Sequence, residues 1–149
     1  MKIEEELKQN KFSSPKHKAV VNVMFTYGWI MCEFRDIFKN FQLTPQQYNV
    51  LRILRGKYPD SLNPTDIKDV MLDKNPDLTR LCDRLLTRGL IDRCVDAENR
   101  RKMNIKITEA GLEMLDLIDP KMERFNLANT GLSNEEAALL SDLLDKLRS

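Results

Sequence analysis

Two polar clusters between residues 75 and 102 have the types and spacing to do chemistry. The first holds Asn75, Asp77, Thr79, Arg80, Asp83 and Arg84, in which Arg80, Asp83 and Arg84 share one side of a helix at about 100° per residue. The second is the run Arg100, Arg101 and Lys102. What these side chains offer is recognition of a polyanion. A guanidinium fork fits a phosphate or the O6 and N7 edge of guanine, a threonine hydroxyl donates to phosphate or its methyl meets that of thymine, and a carboxylate accepts from the amine of cytosine. A plainer alternative uses the same residues as a solvated helix face, with Asp77 or Asp83 paired to the arginines, and as a cationic run that keeps a strand edge from pairing.

Catalytic and metal chemistry find little to work with. There is one histidine, His17, and the three cysteines Cys32, Cys82 and Cys94 sit in apolar runs without CxxC spacing. The pattern suits a reducing compartment and gives no zinc ligand set. GxSxG, P-loop and GxGxxG patterns are missing, and the carboxylates are scattered along helix faces. No enzyme activity, cofactor or metal site is expected. The opening residues MKIEEELKQNK lack the apolar core of a signal peptide, and no stretch reaches the roughly 18 uncharged residues of a membrane span, so a cytoplasmic location is expected.

A chain of 149 residues suffices for one domain with a real core. The formal net charge is only +1, but it conceals a polarised molecule: Lys74 to Lys106 hold nine Lys or Arg against five Asp or Glu, whereas residues 107–149 hold four against nine. Positive charge is concentrated where the two polar clusters lie.

The elements that must position those clusters are marked by caps. Ser14 and Pro15 open a long helix to about Phe41, apolar on more than one side from Phe25 to Met31, as if it had more than one partner. Thr44, Pro45 and Gln47 form a capping box for a helix to about Arg55, stopped by Gly56. Asn63 and Pro64 start a short helix containing Ile67, Val70 and Met71. Asn75 and Pro76 start another of about thirteen residues, ended by Gly89, whose Leu78, Leu81, Cys82, Leu85 and Leu86 form one stripe. Leu90 to Val95 and Lys102 to Ile107 read as a hairpin, with Met103, Ile105 and Ile107 on one side and Lys102, Asn104 and Lys106 on the other. Thr108 caps a helix carrying Leu112, Leu115, Ile118, Met122 and Phe125 past Pro120. Ser133 and Glu136 box the last helix, lined by Leu139, Leu140, Leu143, Leu144 and Leu147.

The order predicts a mostly α fold with a small β-hairpin wing (α+β), a winged helix-turn-helix. In DAENRRKMNIKITEAG, the residues Asn99, Arg101, the strand 102–106, Ile107, Thr108 and Gly111 resemble the signature of the MarR family, with Asn99 in place of an aspartate and Ile107 in place of a leucine. NPDLTRLCDRLLTRGLIDR is similar to that family's recognition helix and first wing strand through Thr79, Arg80, Asp83, Arg84, Gly89 and Leu90, and LTPQQYNVLRIL to its second helix. The resemblance implies a transcriptional regulator that binds double-stranded DNA at a pseudopalindromic operator as a homodimer, probing it with Asn75, Asp77, Thr79, Arg80, Asp83, Arg84, Arg100, Arg101 and Lys102. It implies dimerisation helices at 1–42 and 112–149 around a DNA-binding lobe at 43–111. It further implies repression relieved by a small lipophilic effector against Phe25, Trp29 and Tyr48, residues that at helical spacing also suit plain core. A rival expectation is a protein-interaction module whose basic face docks an acidic partner instead of DNA.

Overall fold

The structure is a computed structural model that describes residues 2–9, 11–95, 99, 102–128 and 131–149. Arg100 and Arg101 lie outside the described residues. The chain divides into two compact units, Met1–Leu115 and Asp116–Ser149.

In the first unit, a short helix α1 (Ile3–Glu6), not expected from the sequence, buries Ile3 and pairs Glu4 with Lys18. Helix α2 (Pro15–Lys39) starts as its cap dictates, Ser14 Oγ accepting from the His17 amide at 3.1 Å. It stops two residues short of Phe41, and Gln42 turns the chain with φ at +53°. Helix α3 (Pro45–Arg55) carries the full capping box: Thr44 Oγ1 accepts from the Gln47 amide at 3.2 Å and Gln47 Oε1 from the Thr44 amide at 2.9 Å. Its Val50, Leu51 and Leu54 are fully buried. Helix α4 (Pro64–Val70) follows from the Asn63 cap; Ile67 and Met71 enter the core, but Val70 is exposed rather than packed with them.

The next helix, α5 (Leu78–Thr87), corrects the expected start. Its cap is Asp77, not Asn75, and it has ten residues instead of thirteen. Pro76 is buried, so its ring belongs to the packing of the approach segment and not to a first helical turn. Aspartate caps as well as asparagine, and Asp77 Oδ1 takes the Arg80 amide at 3.2 Å. At the other end Gly89 has φ +67°, the left-handed geometry expected of a glycine stop. Arg88 then reaches back, donating from Nη1 to the Gln42 carbonyl at 2.7 Å and from Nη2 to the Phe41 carbonyl at 3.0 Å, which satisfies the chain just past α2 and ties it to α5.

Strands β1 (Ile91–Val95) and β2 (Met103–Ile107) pair antiparallel from Ile91 opposite Ile107 to Val95 opposite Met103. The expected alternation in β2 holds for Ile105 and Ile107 and fails at its outer end, where Met103 is exposed and Asn104 buried. The reason is a strand partner with no sequence signal: Leu62 pairs with Ile105 through amide-to-carbonyl bonds of 2.9 and 2.8 Å, and Ser61 Oγ receives the Asn104 amide at 3.3 Å. Helix α6 (Glu109–Ala128) begins behind Thr108, whose Oγ1 accepts from the Gly111 amide at 3.1 Å, and it crosses the division between the units. In the second unit, helix α7 (Asn134–Arg148) has the expected box between Ser133 and Glu136, and Leu139, Leu140, Leu143 and Leu147 are all exposed.

Candidate nucleic-acid interface

Helix α5 separates its side chains by chemistry. Leu78, Leu81, Cys82 and Leu85 are buried against the lobe, and Thr79, Arg80, Asp83, Arg84 and Thr87 on the opposite face are exposed. That burial anchors the helix, so the outward face cannot rotate away without exposing leucines at about 2 kcal/mol each. Arg80 and Arg84 stand one turn apart, and among the described residues neither guanidinium has an ion-pair or hydrogen-bond partner. Their charge is available to a ligand.

The acidic residues of the cluster are engaged. Asp77 spends Oδ1 on the helix cap, where the positive end of the helix dipole also favours its charge. Asp83 Oδ1 lies 2.6 Å from Arg93 Nη2 on β1, which neutralises a carboxylate that would otherwise oppose phosphate. Thr87 donates to the Asp83 carbonyl at 2.9 Å, and the Asn75 amide donates to Asp73 Oδ1 at 3.0 Å, leaving the Asn75 side chain exposed. Thr79, Asp77, Lys68 and Arg93 border an open cleft of about 480 Å³ between α4, the start of α5 and the hairpin. Lys102 is exposed at the foot of β2, its amide donating to the Asn99 carbonyl at 2.8 Å.

The aromatic candidates are spread out. Phe25 and Trp29 are exposed one turn apart on α2, while Tyr48, half-buried on α3, stacks on Phe38 with ring centroids 4.5 Å apart. Among the described residues no group of three or more His, Cys, Asp or Glu is placed to hold a metal, and no helix is long and apolar enough to cross a membrane. Burial pushes the Cys82 thiol up to about 11, with Arg93 pulling it slightly the other way. At pH 8 only about a thousandth of it is thiolate, so a thiol reagent is expected to leave Cys82 unmodified in the native protein and to reach it only on unfolding. Labelling of Cys82 at the rate of the exposed Cys32 would contradict that burial.

Residues 41–102, from just past α2 to just before β2, match the sequence model of the MarR family. A MarR transcription factor from Planctomyces limnophilus is 34% identical, with 92% of this chain and 95% of that one covered and a TM-score of 0.65. The chain belongs to the MarR family. The HTH-type transcriptional regulator FarR of Neisseria gonorrhoeae is 29% identical over 134 residues, 89% of this chain and 90% of its own. BpsR of Bordetella bronchiseptica, described as a protein whose DNA binding is regulated by 6-hydroxynicotinic acid, is 20% identical but shares the fold over 93% of this chain and 99% of its own, with a TM-score of 0.80. MarR-family proteins regulate transcription and are not enzymes. Helices α3, α4 and α5 with the hairpin are this MarR-family member's winged helix-turn-helix.

Arg93 was not among the residues expected from the sequence. Along β1 it falls on the same side as the fully buried Ile91, and the spacing of two that reveals strand faces gives no hint of an ion pair to a helix ten residues earlier.

Proposed function

We propose that the protein represses transcription in the cytoplasm by occupying a pseudopalindromic operator as a homodimer, and that a small lipophilic ligand releases it. The observation that carries the reading is the outward face of α5, where Arg80 and Arg84 are exposed and unpaired among the described residues above a fully apolar anchor. Phosphates and guanine edges are the partners that fit two free guanidiniums on a helix of groove-filling width. In this reading Asn75, Asp77, Thr79, Arg80, Asp83 and Arg84 face the major groove, and Arg100, Arg101 and Lys102 follow the adjacent backbone from the wing.

Dimerisation is supported by apolar side chains left in water. On α2, Met24 is 69% and Tyr27 63% exposed, and on α7 Leu139 is 60% and Leu143 55% exposed. Apolar exposure of this kind along each helix calls for a partner surface. We assign residues 1–42 and 112–149 to dimerisation with a second copy and 43–111 to the DNA-binding lobe. The two recognition helices then sit about 34 Å apart, one turn of DNA. Release by a ligand follows the regulation described for BpsR, with Phe25, Trp29 and Tyr48 as the surface that would take it.

The test is selection of bound sites from random duplexes, followed by titration across a salt series. The expected result is a two-fold related site bound with a salt slope of roughly eight neutralised phosphates per dimer. Weak binding that is indifferent to sequence, or capture of an acidic protein with no duplex bound, would move the basic face to the interaction-module reading.

A further inference from the structure

The segment 71–77 delivers the start of α5, yet little of it has a core to rest on. Met71 and Pro76 are buried at its ends, and Leu72 between them is 82% exposed. Between those ends it is held by two hydrogen bonds from α3 and one within the segment itself. Gln46 Nε2 donates to Asp73 Oδ2 at 2.6 Å, Asp73 Oδ1 accepts the Asn75 amide at 3.0 Å, and Asn49 Oδ1 accepts the Leu72 amide at 3.0 Å. Gln46 and Asn49 are three apart on α3 and so reach out on the same side. The Asp73 carboxylate is held below its ordinary range, first by the Asn75 amide and then by Gln46.

We propose that Gln46 and Asn49 are positioning residues for sequence recognition: acting through Asp73 and the Leu72 amide, they fix where Asn75, Asp77 and Thr79 meet the bases. The proposal rests on the DNA-binding reading above. Its physical ground is the difference between the two kinds of contact. A hydrogen bond to a base edge weakens steeply as angle and distance drift. Attraction to phosphate falls gently with distance and carries no sequence information. A slack 71–77 segment therefore loses discrimination before it loses affinity for DNA in general.

The experiment compares the selected operator with a scrambled duplex, over a salt series, in the full-length protein. Gln46→Ala and Asn49→Ala are each expected to lower the operator-to-scrambled affinity ratio about tenfold. Affinity for the scrambled duplex, the salt slope and the melting temperature stay at their wild-type values. Gln46→Glu sets a carboxylate against Asp73 and lowers the ratio further. Combining it with Asp73→Asn restores the ratio at unchanged net charge, because the new amide at 73 donates to the carboxylate at 46 while its carbonyl still takes the Asn75 amide. An unchanged ratio in both alanine variants overturns the positioning role. So does a fall in melting temperature with equal losses on both duplexes, or a changed salt slope, which would mark a direct phosphate contact. In each of those cases a discriminating wild type leaves the DNA-binding reading standing, whereas a wild type with no preference among duplexes overturns both.

Discussion

Arg80→Ala combined with Arg84→Ala is expected to lower operator affinity on the order of a thousandfold, since the proposed dimer would lose four guanidiniums placed to contact phosphate or guanine. Both residues are exposed, and among the described residues neither is ion-paired, so the protein's own fold loses almost nothing. The melting temperature should move by no more than about two degrees, the range of ordinary surface substitutions. Arg80→Lys with Arg84→Lys separates charge from geometry. It keeps the salt slope, because the positive charges remain, but it loses discrimination wherever a guanidinium forks onto guanine. The alanine pair should also flatten the salt slope by about three to four. Full operator affinity in the alanine pair would remove α5 from the interface and leave its basic face to some other polyanion.

What could be read from the sequence is what local chemistry decides. The Thr44 to Gln47 box, the Ser133 to Glu136 box, the turn at Gly89 and the apolar stripe of α5 each depend on residues within one or two turns of one another, and they stand as expected except that Leu86, at the edge of the stripe, is only half-buried. The outward placement of Thr79, Arg80, Asp83 and Arg84 follows from that stripe without further information. The start of α5 reads as Asn75 in the sequence and lies at Asp77, because aspartate caps as well as asparagine two residues on and Pro76, which reads as a first helical position, is buried ahead of the helix. Burial of Asn104 depends on Leu62, 43 residues from Ile105 along the chain, and a single bridging residue has no periodicity to detect. The Asp83 pair with Arg93, the reach of Arg88 to Phe41 and Gln42, and the bond from Gln46 to Asp73 are likewise agreements between distant residues. The exposed leucines of α7 were legible as a stripe, although nothing within one chain says what should cover them.

A single methyl group at position 111 is expected to cost about 3 kcal/mol or more, lowering the melting temperature by about 6–12 °C. A Cβ on Gly111 would stand 2.2 Å from the Leu90 carbonyl oxygen and 2.6 Å from Ile107 Cγ1, well inside any real contact. Neither neighbour can give way cheaply. The Leu90 carbonyl accepts the Thr108 amide at 3.2 Å while the Leu90 amide donates to Leu85 at 3.0 Å, so moving it disturbs both α5 and the corner before α6. Thr108 Oγ1 holds the same corner by donating to the Gly89 carbonyl at 2.7 Å and accepting from the Gly111 amide. Ile107 is buried and pairs with Ile91 at the base of the hairpin. Accommodating Gly111→Ala therefore means lifting the first turn of α6 away from the hairpin. That movement would shift the wing as well as weaken the core, so operator affinity should fall even at temperatures where the variant is folded. Denaturant unfolding gives the stability and titration of the folded variant gives the affinity. A variant with the wild-type midpoint would show that this corner is looser than its hydrogen bonds imply.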